Sequence, residues 1–161
     1  MILVTVGAQM PFDRLVLAVD AWASGADRCA EVFAQIGDEG IAPASIEWTR
    51  FLEPDEFRRR LEQTSLLVAH AGTGSIFCAL EFGIPVLVMP RHAAKGETRN
   101  DHQIATARRF EALGHVHVAW DEHEVASKID TLLSELDERP RVAPCASPEL
   151  LDALSDFVAA S

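Results

Sequence analysis

The chain has 161 residues, of which 48% are hydrophobic and 24% charged, and a formal net charge of −11. That length and balance fit one globular domain with a substantial core, and so strong an acidic excess argues against nucleic acid or an anionic lipid surface as the direct partner. The three cysteines, Cys29, Cys78 and Cys145, form no Cys-x-x-Cys pair, which speaks against a disulfide framework or zinc site and for a reducing cytoplasm. The start, MILVTVG, lacks a basic leader, and no apolar run approaches the roughly 18 residues needed to span a bilayer. Any membrane role is therefore expected to come through a partner.

In chain order, Ile2 to Val6 predicts a buried strand and Gly7-Ala8-Gln9-Met10-Pro11 a turn. Phe12, Leu15, Val16, Val19 and Trp22 share one face of a helix. Val32 to Ile36 predicts a second strand and Ile46 to Leu52 a third. Pro54 opens a helix, with Asp55 and Glu56 placed to complement its dipole. Ser65 to Ala69 is a continuous apolar run, as in a strand buried on both faces. His70 to Ser75 is a turn, and Ile76 to Phe82 a short helix ended by Gly83.

Pro85 to Met89 predicts another strand, and Arg91 to Asn100 a polar loop whose Arg91, Lys95 and Arg99 form either a basic patch or a merely solvated segment. A helix is expected from about Asp101, a strand over His115 to Ala119, a helix around Val125, Ile129 and Leu132, and a last amphipathic helix over 148–161. About six strands alternating with helices predict an α/β domain over 1–161, a single Rossmann-like doubly wound parallel sheet. In such sheets ligands lie beyond the carboxyl ends of the strands.

The segment His70-Ala71-Gly72-Thr73-Gly74-Ser75 combines a strand end, two glycines, two hydroxyls and a helix start. Glycine permits close backbone approach, and first-turn amides favour phosphate oxygens. There is no third glycine of a dinucleotide fingerprint and no Gly-Lys-Ser/Thr of a P-loop. Ser75 is also not in a Gly-x-Ser-x-Gly elbow. Locally, two readings stay open: an ordinary tight strand-to-helix turn and a phosphate-type site. His115 and His117 alternate on one strand, but no third ligand stands at suitable spacing, so no metal site is assigned.

Four stretches in order, Val-Thr-Val-Gly from Val4, Ala-His-Ala-Gly-Thr-Gly-Ser-Ile from Ala69, Gly-Ile-Pro-Val-Leu-Val-Met-Pro-Arg from Gly83 and Asn-Asp-His-Gln-Ile-Ala from Asn100, resemble the C-terminal domain of glycosyltransferase family 28. The resemblance covers nearly the whole chain. It is closest to stand-alone versions of that domain, such as the small catalytic subunit of the dolichol-linked N-acetylglucosaminyltransferase and PssE-like exopolysaccharide subunits.

The resemblance implies the donor half of a GT-B glycosyltransferase: a catalytic subunit that transfers a hexosyl group from a UDP-sugar to a polyprenyl-linked acceptor, without a metal or other cofactor. A separate, membrane-anchored subunit would supply the acceptor half, with the helix over 148–161 helping to dock it, at the cytoplasmic face of the inner membrane. The alternative is a non-catalytic UDP-sugar-binding or regulatory module.

By the same resemblance Gly7 and Ala8 lie near the nucleotide, though many relatives carry Thr in place of Ala8. Gly72, Thr73, Gly74 and Ser75 hold the diphosphate, and Asp101, His102 and Gln103 read the donor sugar. Asp101 also suits an ordinary helix cap. His70 is a candidate for orienting the loop or meeting charge that leaves with UDP, alongside the reading of a structural histidine; the general base stays unassigned. Cys78 departs from the pattern, since relatives carry a ribose-binding Glu there and a thiol is no bidentate acceptor. Glu81 falls roughly 60° from that helical position.

Overall fold

The computed structural model describes residues 1–7 and 10–138. Ala8, Cys145 and the helix expected over 148–161 lie outside the described residues. The elements in order are β1 (Ile2–Thr5), α1 (Asp13–Gly25), β2 (Val32–Gln35), β3 (Glu47–Thr49), α2 (Pro54–Glu62), β4 (Leu66–His70), α3 (Thr73–Glu81), β5 (Val86–Met89), α4 (His102–Ala112), β6 (His117–Val118) and α5 (Glu122–Glu138), with short 3-10 turns at Cys29–Glu31 and Ala93–Lys95.

The six strands pair in the order β3-β2-β1-β4-β5-β6, and every pairing is parallel. β1, β2 and β5 are buried along their whole length, as a sheet covered on both faces requires. Alternate side chains divide between two cores. Ile2, Val4, Leu66 and Val68 pack with Leu15, Val19 and Ile129 under α1 and α5. Leu3, Leu67 and Ala69 pack with Leu61, Ile76 and Phe110 under α2, α3 and α4. Each such aliphatic side chain contributes about 1.5–3 kcal/mol by leaving water. Trp22 on α1 donates its indole N–H to Asp130 on α5 at 2.8 Å, which fixes those two helices to each other.

Three expected elements differ. The third strand shortens to Glu47–Thr49, an edge strand whose Glu47 and Trp48 are exposed. The strand expected over His115 to Ala119 is only His117–Val118, so His115 precedes it. α3 starts at Thr73 rather than Ile76, so Thr73, Gly74 and Ser75 belong to a helical first turn, not a loop. Pro54 opens α2 as expected, with Asp55 and Glu56 in its first turn.

After β1 the chain winds outward to β2 and β3, then returns to place β4 on the other side of β1. The loops after β1 and β4 therefore leave the sheet in opposite directions and open a crevice at its carboxyl edge.

Candidate functional site

Gly7 ends β1 with φ +75°, a left-handed conformation that favours glycine, and Gly72 follows β4. The His70 imidazole lies against both. A Cβ built on Gly72 would fall 2.2 Å from His70 Nε2, and one built on Gly7 would fall 2.8 Å from Cε1. Both glycines thus make room for a histidine ring, a demand that the phosphate reading of the sequence did not contain.

Burial, followed by the Arg91 cation, lowers the His70 pKa from 6.5 to about 4; the Thr5 main chain opposes this, and His102 adds to the lowering. The Thr5 contact does not amount to a hydrogen bond of good geometry, and Nδ1 is buried without a partner. A histidine with a depressed folded pKa stays neutral near pH 7. The unfolded chain binds the proton more readily between pH 6.5 and about 4, so stability falls as pH drops through that window. The contribution is at most about 3 kcal/mol, from about 1.4 kcal/mol per unit. An NMR titration of the His70 ring is expected to show no protonation until near pH 4; a midpoint near 6.5 would contradict the placement.

Gly72 is the N-cap of α3, and no side chain caps the helix's first turn. Thr73 and Gly74 are exposed and Ser75 is half-buried. A Cβ on Gly74 would meet nothing within 4 Å, so the approach to these amides is open. Cys78, further along α3, packs against the core beneath α2, α3 and α4. Burial, then Glu81, raises its thiol pKa, against a smaller opposing pull from Arg58. Glu81 pairs with Arg58 at 2.9 Å on the surface.

On the other side of the crevice Arg91 is 4% exposed. It is not the solvated or patch-forming residue allowed by the sequence. Its guanidinium donates to the carbonyl oxygens of Val6 (2.7 Å), Met10 (2.6 Å), Pro11 (2.7 Å) and Glu97 (3.0 Å), which binds the loop after β1 to the loop after β5. The main-chain N–H of Arg91 donates to Gln103 Oε1 at 3.2 Å.

A second arginine braces the same loop from α1. Arg14 forms a two-pronged pair with Glu97 at 2.7 and 3.0 Å and reaches Glu122 at 2.8 Å, where Lys95 also approaches at 3.5 Å. Although burial opposes it, the Arg14 hydrogen bonds hold the Glu97 carboxyl below the usual carboxylate range. Glu97 also accepts the His92 N–H at 2.9 Å.

These contacts enclose a recess of about 100 Å³ at the carboxyl edge, lined by Val6, Met10, His70, Arg91, Glu97 and Thr98 together with His102 and Gln103. That volume is below the roughly 300–1,000 Å³ of ordinary small-molecule pockets, so a large ligand would lie across it rather than inside it. His70 forms its wall toward Gly72. Of the residues expected to contact a sugar, His102 and Gln103 are here and Asp101 is not. Asp101 Oδ1 instead accepts the Ala93 N–H at 2.8 Å, as a tie within the loop rather than a side-chain cap. Asn100 Oδ1 meets both the main-chain N–H and the ring of His102.

Thr73, Gly74 and Ser75 do not line the recess. Arg14, Glu97 and Thr98 were missed as site-building residues, and Arg91 was named only as a patch or solvated residue, although it closes the Gly83–Arg91 stretch that carries the family resemblance. A larger open groove of about 620 Å³ lies between α1 and α5, walled mainly by Leu17, Ala18, Ala21, Trp22 and Ala126, and its charged residues Arg14 and Glu122 already pair with each other. Among the described residues no group of three or more His, Cys, Asp or Glu side chains is placed to hold a metal ion.

Known proteins share this architecture. The glycotransferase of kitacinnamycin aligns over 97% of this chain and 37% of its own, with a TM-score of 0.60 and 23% identity. The solution structure of ALG13 aligns over 95% of this chain and 93% of its own, with a TM-score of 0.57 and 17% identity. At those identities the likeness is one of fold, that of the C-terminal half of GT-B glycosyltransferases. In sequence, the UDP-N-acetylglucosamine transferase subunit ALG13 of Eremothecium gossypii is 48% identical over 52 residues, which is 32% of this chain and 24% of that protein. The model of the glycosyltransferase family 28 C-terminal domain matches residues 1–154, and the chain belongs to that family.

Proposed function

We propose that this chain is the donor-binding, catalytic subunit of a two-component glycosyltransferase. It moves a hexosyl group from a UDP-sugar to a polyprenyl-linked acceptor in exopolysaccharide assembly. The observation that carries the reading is the crevice between β1 and β4. There His70, neutral at pH 7, and the buried Arg91, whose guanidinium bonds main-chain oxygens, line one recess, and the uncapped start of α3 follows two residues after His70.

Each group then has a task. The first-turn amides of α3 and the Ser75 hydroxyl take the diphosphate oxygens. His70, neutral at pH 7, offers a hydrogen bond without adding charge. Arg91 and the α3 dipole stabilise the negative charge that develops on departing UDP, which is electrostatic stabilisation of a leaving group and needs no metal. His102 and Gln103 contact the sugar hydroxyls. A second, membrane-anchored subunit supplies the acceptor side and the general base. That subunit would hold the chain at the cytoplasmic membrane face; among the described residues no helix is long and apolar enough to cross a membrane.

Cys78 favours a second reading, a UDP-sugar-binding module without turnover, because its raised thiol pKa and core packing leave the ribose without a carboxylate partner. Calorimetric titration with UDP and UDP-N-acetylglucosamine tests both. Ser75→Ala is expected to weaken UDP binding about tenfold, the value of one hydrogen bond to a charged group, with the unfolding midpoint unchanged. UDP release that requires membranes carrying the second subunit supports catalysis, tight binding without turnover supports the module, and no binding of either nucleotide removes both.

A further inference from the structure

Six large apolar side chains stand exposed among the described residues, and four of them, Met10, Ile41, Trp48 and Phe51, belong to the β1–β3 half of the molecule, in or beside the loops at its carboxyl edge. Ile41 is 56% and Phe51 51% exposed. These loops are tied into one surface. Asp13, at the start of α1, accepts the Ile41 N–H at 2.8 Å. Arg50, just after β3, donates to the Gly40 carbonyl at 2.6 Å and lies 5.3 Å from the Trp48 ring centre. Asp20 accepts the N–H groups of Ala44, Ser45 and Ile46 at 2.9–3.0 Å and so anchors the rest of the loop after β2. The apolar side chains are therefore displayed by a braced scaffold. The same loops and the start of α2 carry more negative than positive charge: Asp38, Glu39, Glu53 and Asp55 are exposed, against the one arginine, Arg50.

We infer that this surface docks a second protein whose contact face is apolar at its centre and basic at its rim. The charges decide between occupants. A second copy of this chain would set Asp38, Glu39, Glu53 and Asp55 against like charges, which costs several kcal/mol across an interface. A bilayer with anionic headgroups is repelled by the same carboxylates and by the net charge of −11. A basic rim is attracted and steered by them, while its apolar centre covers Ile41 and Phe51. This deepens the proposed function by placing the second subunit beside the crevice, and it rests on that reading for the partner's task.

The test is a benzoylphenylalanine photo-crosslinker placed at position 51 of the full chain in its native host, with position 113, at the far end of α4, as the control. The expected result is one polypeptide joined at 51 and not at 113, with a net positive crosslinked peptide. The purified pair should then lose at least about tenfold in affinity through Ile41→Asp, and again through Phe51→Asp, as central apolar contacts do. Binding should weaken further in 0.5 M salt than in about 0.1 M. Both variants should keep the wild-type unfolding midpoint and UDP affinity. Crosslinks to a second copy, to lipid or to an acidic peptide, no crosslink, or affinity unchanged by both variants would overturn the inference. If the wild type docks its partner but binds no UDP or UDP-N-acetylglucosamine, the docking surface stands and the proposed function fails.

Discussion

Arg91→Ala is expected to lower the free energy of unfolding by about 3–6 kcal/mol, the loss of at least two hydrogen bonds to a charged group at about 1.5–3 kcal/mol each. The loss follows from four carbonyl oxygens, on Val6, Met10, Pro11 and Glu97, that share one guanidinium. Without it, buried acceptors stay unpaired, at about 1–3 kcal/mol for each that water cannot reach. Arg91→Lys separates charge from geometry. An ammonium keeps the cation but cannot fork toward carbonyls arriving from two loops, so the lysine variant should recover less than half of the loss. Urea unfolding of both variants measures this, and a lysine variant as stable as wild type would show that charge alone suffices. If Arg91 also meets the charge on departing UDP, the alanine variant should lose UDP affinity at temperatures where it remains folded.

The second large effect concerns the histidine pocket. Gly72 has φ −86°, which any residue adopts, so the nearest obstacle to Gly72→Ala is the imidazole 2.2 Å from the added carbon. The cost is expected at about 1–3 kcal/mol, as for other overpacked sites. Pairing it with His70→Ala should relieve most of that cost, giving a coupling energy of about 1–3 kcal/mol in a double-mutant cycle. Gly7→Ala differs, because a left-handed backbone adds about 1–2 kcal/mol to the contact. That total is expected at about 2–5 kcal/mol, and the backbone part should persist when His70 is removed. Equal relief at both glycines would contradict the assignment of strain at Gly7.

The sheet was legible because its strands are continuous apolar runs, and their alternation with 3.6-period segments fixes a parallel, doubly wound arrangement. The edge strands were overestimated for the same reason. Ile46, Leu52 and Val116 are buried, so they looked like strand positions, although the ladder ends inside them. His70 was singled out as the end of an apolar run before a Gly-rich turn, and His102 and Gln103 by the family resemblance; all three line the recess. The role of Arg91 was not legible, since an arginine in a polar loop has the same local sequence whether it meets water or folds back on main-chain oxygens. The Arg14–Glu97 pair spans 83 positions of chain, and no local pattern announces it. The room that Gly7 and Gly72 leave for one ring likewise exists only once β1 and β4 lie side by side.

The four oxygens held by Arg91 all belong to the main chain, and every residue type brings the same oxygen. Val6, Met10, Pro11 and Glu97 can thus be exchanged as far as this junction is concerned, provided the backbone path is kept. The side chains around this junction can therefore change while its frame stays put. Libraries that randomise positions 10 and 11 should accordingly tolerate wide variation, whereas position 91 should admit almost none.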